Sequence, residues 1–529
     1  MITIKKTPAN LFIYFPFNDN YIKIIKCLPR RIYLGAKRCW KVPTMDLKKI
    51  TDLLESYGVP YKVEEKEIEN ICLYALNQPK LKLYHEQEKC VQFGLNKKNV
   101  IYNMDIGFGK TATALITAIT GKKFFGAKRC LIIVPASLKR QWCQEINKFT
   151  NELYNLIEGS PKKRIYESNA FFTIVSYETA RNDINKIKKL YWDYLIIDEI
   201  VRIKNHKTKI SRALKEINAK NKIALSGAIL ENRLEELYNI LNFIRPDIFS
   251  SYWDFQSRFL VQVTRRFGAI QFRETVAFKN LDHLKDIMKD FVVKEKLTDL
   301  PGKVEKTIMV PMLPNQKRYH NEIADEVIEE IEINENPLAK LTALRQVCNH
   351  PGTVGLDGAS NKIKELREIL KEIGDKKVII FTQFAKFANL IEEGLSNENK
   401  IFVTTGNLSS KEKDEIIKKW RKDGQILLTT DCMGYGINLQ DAHILINMDL
   451  PWNPIKLQQR IGRIWRRGQK ERCLIINILS EDSVEEKVME YLNNKIALIN
   501  RVMDEDVKRI EVDDIGATKE IMKMWKDKK

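Results

Sequence analysis

The chain has 529 residues, 44% hydrophobic and 30% charged, the balance of a folded protein with cores to bury rather than of a disordered one. Its length predicts roughly three or four domain-sized units. Lys and Arg outnumber Asp and Glu by 89 to 69, a formal net charge of +20, which favours polyanionic partners, nucleic acid first and an anionic membrane surface second. No run approaches the roughly 18 to 20 apolar residues of a membrane span. The opening MITIKKTPANLFIYFPFND lacks the apolar core and small-residue cleavage site of a secretory leader. The expectation is an intracellular protein with no membrane partner, cytoplasmic in a microbe and nuclear in a eukaryote.

Residues 1–75 alternate short apolar strands such as LFIYF with the helix-like LKKITDLLESYGV, the pattern of a small α+β N-terminal unit. From 76 to 250 the runs VIYNMD, CLIIVP, FFTIVSY and YLIIDE are each followed by polar or helix-patterned residues. This βα alternation predicts a parallel sheet covered on both faces, because strands buried on both sides read as continuous apolar runs. Residues 251–350 carry helix-like patterns such as NQKRYHNEIADEVIEEIEI and few strand signals, so a helical insertion is expected there. The βα texture returns over 351–495 in VIIFTQF, KIFVTTG, QILLTT, AHILINMD and CLIINIL, and 496–529 reads as a helical, charged tail. The fold class expected is α/β, with two P-loop lobes built on parallel sheets.

The nine cysteines include no CxxC pair, which supports neither a disulfide framework nor a zinc site. Cys348 and His350 in RQVCNHP lack further ligands at suitable spacing and read as structural.

The strand VIYNM runs into Asp105-Ile106-Gly107-Phe108-Gly109-Lys110-Thr111 and then the helix-favouring ATALITAI. Gly107 and Gly109 let backbone N–H groups curl around phosphate oxygens, the helix start favours anions, Lys110 can reach β- and γ-oxygens, and Thr111 can hold magnesium. A strict GxxxxGK[ST] loop would have glycine where Met104 stands. A plain glycine turn would not need Lys and Thr together at a helix start. Downstream, Leu195-Ile196-Ile197-Asp198-Glu199 sets two carboxylates at the end of an apolar strand. Asp198 suits magnesium, and Glu199 suits orienting an attacking water. An isolated strand-end Asp can equally cap the next element. ATP and Mg2+ are the ligands these residues predict.

The order of motifs over residues 80–495 resembles the SNF2 branch of the superfamily 2 helicase-like ATPases. Gln87 in Tyr84-His85-Glu86-Gln87 is similar to the family's adenine-reading glutamine. Ile133-Val134-Pro135-Ala136-Ser137-Leu138 with Trp142 is similar to motif Ia, which implies a nucleic-acid backbone contact at Ser137. Asp198-Glu199-Ile200-Val201-Arg202-Ile203-Lys204-Asn205 resembles the DEAH-RIKN block, and implies nucleic-acid contacts at Lys204 and Asn205. Ser226-Gly227-Ala228 through Glu231-Asn232-Arg233 resembles motif III, and the RQVCNHP segment another SNF2 hallmark. Thr429-Thr430 with Gly434, Gly436, Asn438 and Leu439 resembles motif V, and Asp449-Leu450-Pro451-Trp452-Asn453-Pro454 leads into the motif VI pattern of Gln459, Arg463, Arg466, Gly468 and Gln469.

What the resemblance implies is two RecA-like lobes clamping one ATP, with Gly436 and Gln459 near the nucleotide and Thr430, Asn438 and Trp452 near nucleic acid. Arg463 and Arg466, three apart on a helix, would face one way and stabilise charge on the γ-phosphate. Their neighbours Arg460 and Arg467 read as solvated charge. Val201 stands where the family has histidine, Ala228-Ile229 replace Thr-Pro of motif III, and Met433 replaces a glycine of motif V. These positions couple ATP state to movement, so they put stimulation by DNA in doubt more than hydrolysis.

Residues 1–75, with Ile24-Ile25-Lys26, Arg30-Arg31, Tyr33 and Trp40-Lys41-Val42-Pro43, are similar to the HARP-type segment of annealing helicases. The aromatics either contact nucleic acid or form the unit's core. The function implied is a translocase on double-stranded or branched DNA that remodels DNA or protein–DNA complexes, with fork remodelling or strand annealing as its output. An ATP-binding nucleic-acid scaffold with decayed hydrolysis and a strand-separating helicase are the alternatives.

Overall fold

The computed structural model describes residues 2–6, 10–28, 31–35, 38–43, 46–65, 83–230, 234–267, 270–297, 300–332, 338–396, 400–431, 437–504 and 509–511. Two compact units organise them, the first built from Met1–Met104, Gly109–Glu295 and Asp506–Val512, the second centred on Lys296–Glu505.

The first unit begins with a five-stranded sheet in the order Ile32–Leu34, Cys39–Pro43, Asn10–Tyr14, Ile2–Lys6, Tyr61–Glu65. Helices Asp19–Lys26 and Leu47–Ser56 contribute Ile24, Ile25, Ile50 and Leu54 to its core, against Ile2, Ile4, Leu11, Ile13 and Val42. Trp40 packs at the edge of that core, whereas Tyr33 is 54% exposed beside it, with ring centroids 5.1 Å apart.

The main sheet of the first unit has seven strands, all parallel. Its order is Val292–Glu295, Val100–Met104, Ala219–Ser226, Trp192–Ile197, Cys130–Val134, Phe172–Ser176, Tyr154–Leu156. Val100–Met104, Cys130–Val134 and Phe172–Ser176 are buried at every residue, the consequence of helices on both faces.

The second unit carries a six-stranded, all-parallel sheet in the order Lys303–Val310, Cys473–Ser480, Ile444–Asn447, Val378–Thr382, Ile426–Thr430, Ile401–Thr404. Alternate residues of one strand feed opposite faces. Val378 and Ile380 join the cluster of Leu366, Phe387 and Ile391, whereas Ile379 and Phe381 join that of Ile417, Trp420 and Ile461.

The helical insertion expected over 251–350 is corrected. Leu260–Phe267 and Ile270–Lys279 form an antiparallel hairpin, extended by Arg509–Glu511 from the tail. Val292–Glu295 and Lys303–Val310 are edge strands of the two main sheets, and the helices Tyr252–Phe259, Leu281–Lys289, Pro314–Glu332 and Leu338–Asn349 are interspersed with these strands rather than forming one helical block. Polar and charged residues break these strands into short apolar pieces, unlike the continuous runs of strands covered on both faces.

Candidate active site

The buried strand Val100–Met104 delivers the chain into the glycine loop at the carboxyl edge of the main sheet. Gly107 (φ 89°) and Gly109 (φ 96°) occupy the left-handed region that side-chain-bearing residues avoid. Gly109 caps the helix Lys110–Phe125, and a Cβ there would collide with Nε2 of Gln87. Gln87 is therefore seated against the loop. It is buried, and its Oε1 accepts the Tyr84 N–H (3.0 Å) in a capping box that opens helix His85–Lys97. Lys110 folds back over the loop to donate from Nζ to the Met104 carbonyl at 2.8 Å, and Thr111 follows it in the first helical turn.

Asp198 and Glu199 follow the strand Trp192–Ile197, two strands away from the loop strand. The Asp198 N–H donates to Ile133 (2.9 Å), and Oδ2 accepts the indole N–H of Trp142 at 2.9 Å. Burial raises the Asp198 pKa, opposed by the Trp142 hydrogen bond and then by the charge of Lys110. Glu199 has φ 54°, a left-handed conformation that costs a residue with a Cβ about 1–3 kcal/mol. Its carbonyl accepts the Arg202 N–H (3.0 Å), which closes the 3-10 turn Ile200–Ile203. Tyr177, buried at the end of strand Phe172–Ser176, donates its hydroxyl to the carbonyls of Asp198 (2.6 Å) and Glu199 (3.0 Å). Motif spacing does not single out Tyr177; its signal in the sequence is an aromatic with a polar tip at a parallel strand's carboxyl end, where such sheets place ligands.

This chemistry fits ATP with magnesium. Left-handed glycines leave room for anions to approach backbone N–H groups, and the Thr111 hydroxyl with the Asp198 carboxylate is the hard oxygen set that magnesium takes.

The 202–205 segment leads away from the acids. Lys204 Nζ pairs with Glu236 at 3.0 Å, and Asn205 Oδ1 accepts the Lys207 N–H at 2.9 Å. Buried Asn239 holds this segment from below, donating to the Ile203 carbonyl and to Ser211 Oγ (2.7 Å). Val201 is half-buried. The motif III turn closes on itself, with Ser226 Oγ donating to Ala228 O (2.6 Å) and accepting the Ala228 N–H (3.1 Å). Ser137 is exposed in the short 3-10 turn Ala136–Leu138.

In the second unit the helix Pro454–Ile461 stops at Gly462. Arg463 and Arg466 therefore lie in the turns after that helix, a correction to the helical spacing expected of them; there the backbone closes shorter turns, with Arg463 N–H on the Arg460 carbonyl (3.0 Å) and Ile464 N–H on that of Ile461 (3.1 Å). Arg463 is buried and its Nη1 donates to Ile437 O (3.3 Å). The turn is held by Gln440, whose Nε2 donates to the carbonyls of Arg466 (3.3 Å) and Arg467, and by Gln469, donating to Ala442 O (2.9 Å). Gln459 is half-buried on the helix itself.

Arg460 is not solvated charge. It is 2% exposed, with Nε on Asp431 (2.6 Å), Nη1 on the Asn447 side chain (3.1 Å) and the Asp449 carbonyl (2.7 Å), and Nη2 on Asp449 Oδ1 (3.4 Å). Asp449 also accepts from Asn349 Nδ2 (3.2 Å), while the Asn349 side-chain oxygen accepts from buried Lys362 (2.9 Å), which pairs with Glu485 (2.7 Å). One buried polar network thus ties the CNHP segment to the segments on either side of motif VI. Within it Cys348 is pushed up to about 12 by burial, and His350 accepts the Gly352 N–H on Nδ1 (3.0 Å).

Among the residues matched to nucleic-acid contacts here, Thr430 is buried at its strand end, and exposed Asn438 donates to Gln440 Oε1 (2.7 Å). Trp452 is half-buried with the Arg345 guanidinium 4.9 Å over its ring. Gly436, with Met433 and Gly434, lies outside the described residues, as do Glu231, Asn232 and Arg233.

A family model described as the SNF2-related domain matches residues 62–353, and one described as the helicase conserved C-terminal domain matches residues 361–468. The chain is similar to the ISWI chromatin-remodeling complex ATPase ISW1 of Saccharomyces cerevisiae, 28% identical over 417 residues that cover 71% of this chain and 36% of that protein. It is also similar to an uncharacterized ATP-dependent helicase of Mycoplasma pneumoniae, 29% identical over 496 residues, 90% of this chain and 46% of that one. The match therefore spans less than half the length of either relative. Among solved structures, the SWI2/SNF2 ATPase core of Sulfolobus solfataricus in complex with dsDNA is 26% identical with a TM-score of 0.40, covering 81% of this chain and 94% of that one.

Proposed function

The chain belongs to the SNF2 family of helicase-like ATPases, and from that premise we propose that it is an ATP-hydrolysing motor that moves along double-stranded DNA. The observation that carries this reading is the convergence within the first unit of Gln87 against Gly109, Lys110 on the Met104 carbonyl, and buried Asp198 with Glu199, held at their backbone. Gln87 reads adenine, the loop N–H groups and Lys110 bind the phosphates, and Thr111 and Asp198 hold magnesium. When bound, that ion offsets charge on the β- and γ-oxygens. Glu199 orients the attacking water. Arg463 and Arg466 stabilise charge that develops on the γ-phosphate.

Ser137, Lys204, Asn205, Thr430, Asn438 and Trp452, with Gly436 and Gln459 nearer the nucleotide, are the residues we assign to the remaining contacts. Backbone contacts of this kind carry little sequence information, so binding is sequence-tolerant and weakens steeply with salt. The net charge of +20 favours it. The N-terminal sheet, with Tyr33 exposed beside Trp40 and near Arg31, fits a role on branched DNA and an output in fork remodelling or annealing.

The test is steady-state ATP hydrolysis by the wild type and Lys110→Ala, alone and with single-stranded, duplex and forked DNA. Hydrolysis stimulated by duplex or forked DNA and lost in the variant supports the motor. No hydrolysis under any condition supports an ATP-binding scaffold, the alternative that the departures at Val201 and Ala228-Ile229 prompt.

A further inference from the structure

Glu199 adopts a backbone conformation that its own chemistry disfavours. With φ 54° and a full side chain, it has neither the missing Cβ of glycine nor the short amide of asparagine to ease the left-handed region. Something outside the residue must hold it. Two donors do so, both on the Glu199 carbonyl: the Arg202 N–H at 3.0 Å and the Tyr177 hydroxyl at 3.0 Å.

The Tyr177 hydroxyl also reaches the Asp198 carbonyl at 2.6 Å, so one phenol O–H bridges the carbonyls on either side of the Glu199 Cα. Tyr177 is fully buried, and Ser176 fixes the start of its helix by capping it through the Thr179 N–H (3.2 Å). The donor is thus anchored at the end of a sheet strand. Its ring lies 5.6 Å beneath the Arg202 guanidinium, and Arg202 reaches Glu178, the next residue along, at 3.5 Å. The carboxylate of Asp198 has a separate holder in Trp142.

We propose that Tyr177 is a positioning residue for hydrolysis: its hydroxyl locks the Asp198–Glu199 peptide and so aims the Glu199 carboxylate, with Arg202 bracing the ring. The inference rests on the ATPase reading above. Loss of the hydroxyl takes a donor from the buried Asp198 carbonyl and leaves the Glu199 carbonyl to the Arg202 N–H, which lets the peptide relax toward negative φ and swings the Cα–Cβ bond of Glu199. Asp198, still held by Trp142, keeps its place. Hydrolysis should therefore suffer while nucleotide and magnesium binding do not.

Tyr177→Phe keeps the ring and removes only the hydroxyl. The expected result is a fall in kcat of about 10²-fold, as for a misaimed catalytic group. KM for ATP, the magnesium half-saturation and the affinity for a fluorescent non-hydrolysable ATP analogue should stay within about twofold of wild type. Incorporating 4-aminophenylalanine at 177, which restores a donor, should recover most of the rate. Should the Phe variant not fold, Arg202→Met keeps the hydroxyl but removes the brace, and should lower kcat several-fold at unchanged analogue affinity. An unchanged kcat in an active enzyme, or a kcat loss matched by lost analogue affinity, overturns the positioning role alone. A wild type that hydrolyses no ATP overturns the ATPase reading, and the inference with it.

Discussion

The indole N–H of Trp142 donates to Oδ2 of Asp198 across 2.9 Å, a hydrogen bond between residues 56 positions apart. It works against the burial that raises the Asp198 pKa, and so favours the charged carboxylate where magnesium is proposed to bind. Trp142→Phe retains the packing and removes the donor. The prediction is a magnesium half-saturation for ATPase raised about tenfold, corresponding to a lost hydrogen bond to a charged group of about 1.5 kcal/mol, with near-normal kcat at saturating magnesium.

Arg463→Ala and Arg466→Ala should separate binding from chemistry. Each is predicted to lower kcat by about 10³-fold or more, the range for arginines acting on a transferring phosphoryl group. Affinity for a fluorescent ATP analogue should change little. An arginine whose loss weakens ground-state binding in proportion to rate would not be acting on the transition state.

Lys362 and Glu485 form a buried pair, 1% and 3% exposed, and burial raises the Glu485 pKa. Removing one partner strands the other. Lys362→Met should destabilise the protein by about 3–5 kcal/mol in urea unfolding, and the double variant Lys362→Met with Glu485→Gln by clearly less. Equal losses in single and double variants would contradict the account of the pair.

His320, buried in helix Pro314–Glu332, has its pKa lowered to about 4, chiefly by burial. The unfolded chain takes up this proton near pH 6.5, whereas the folded one does not until about pH 4. Its contribution is therefore full above pH 6.5 and is lost as pH falls toward 4, a swing of about 3 kcal/mol. Unfolding free energies measured from pH 7.5 to 4.5 should show a smaller decline with falling pH in His320→Gln than in wild type.

The glycine loop, Lys110, Asp198 and Glu199 were legible in sequence because phosphate chemistry imposes local residue types at fixed spacing. Both main sheets were legible because doubly covered strands are continuous apolar runs. The hairpin of Leu260–Phe267 and Ile270–Lys279 was not, since polar and charged residues such as Arg265-Arg266 and Arg273-Glu274 break its apolar runs. Arg460 looked like one more charge in a basic run, and only the fold brings Asp431, Asn447 and Asp449 around it. Tyr177 escaped for the same reason: its partners are 21 and 22 residues away, on another strand's end.

The central claim is movement along duplex DNA, and the most direct measurement is ATP-dependent displacement of a third strand from a blunt-ended triplex, run beside a tailed duplex. The prediction is third-strand release that requires ATP and Lys110, with the tailed duplex left paired. Separation of the tailed duplex, or hydrolysis without any third-strand release, would contradict it.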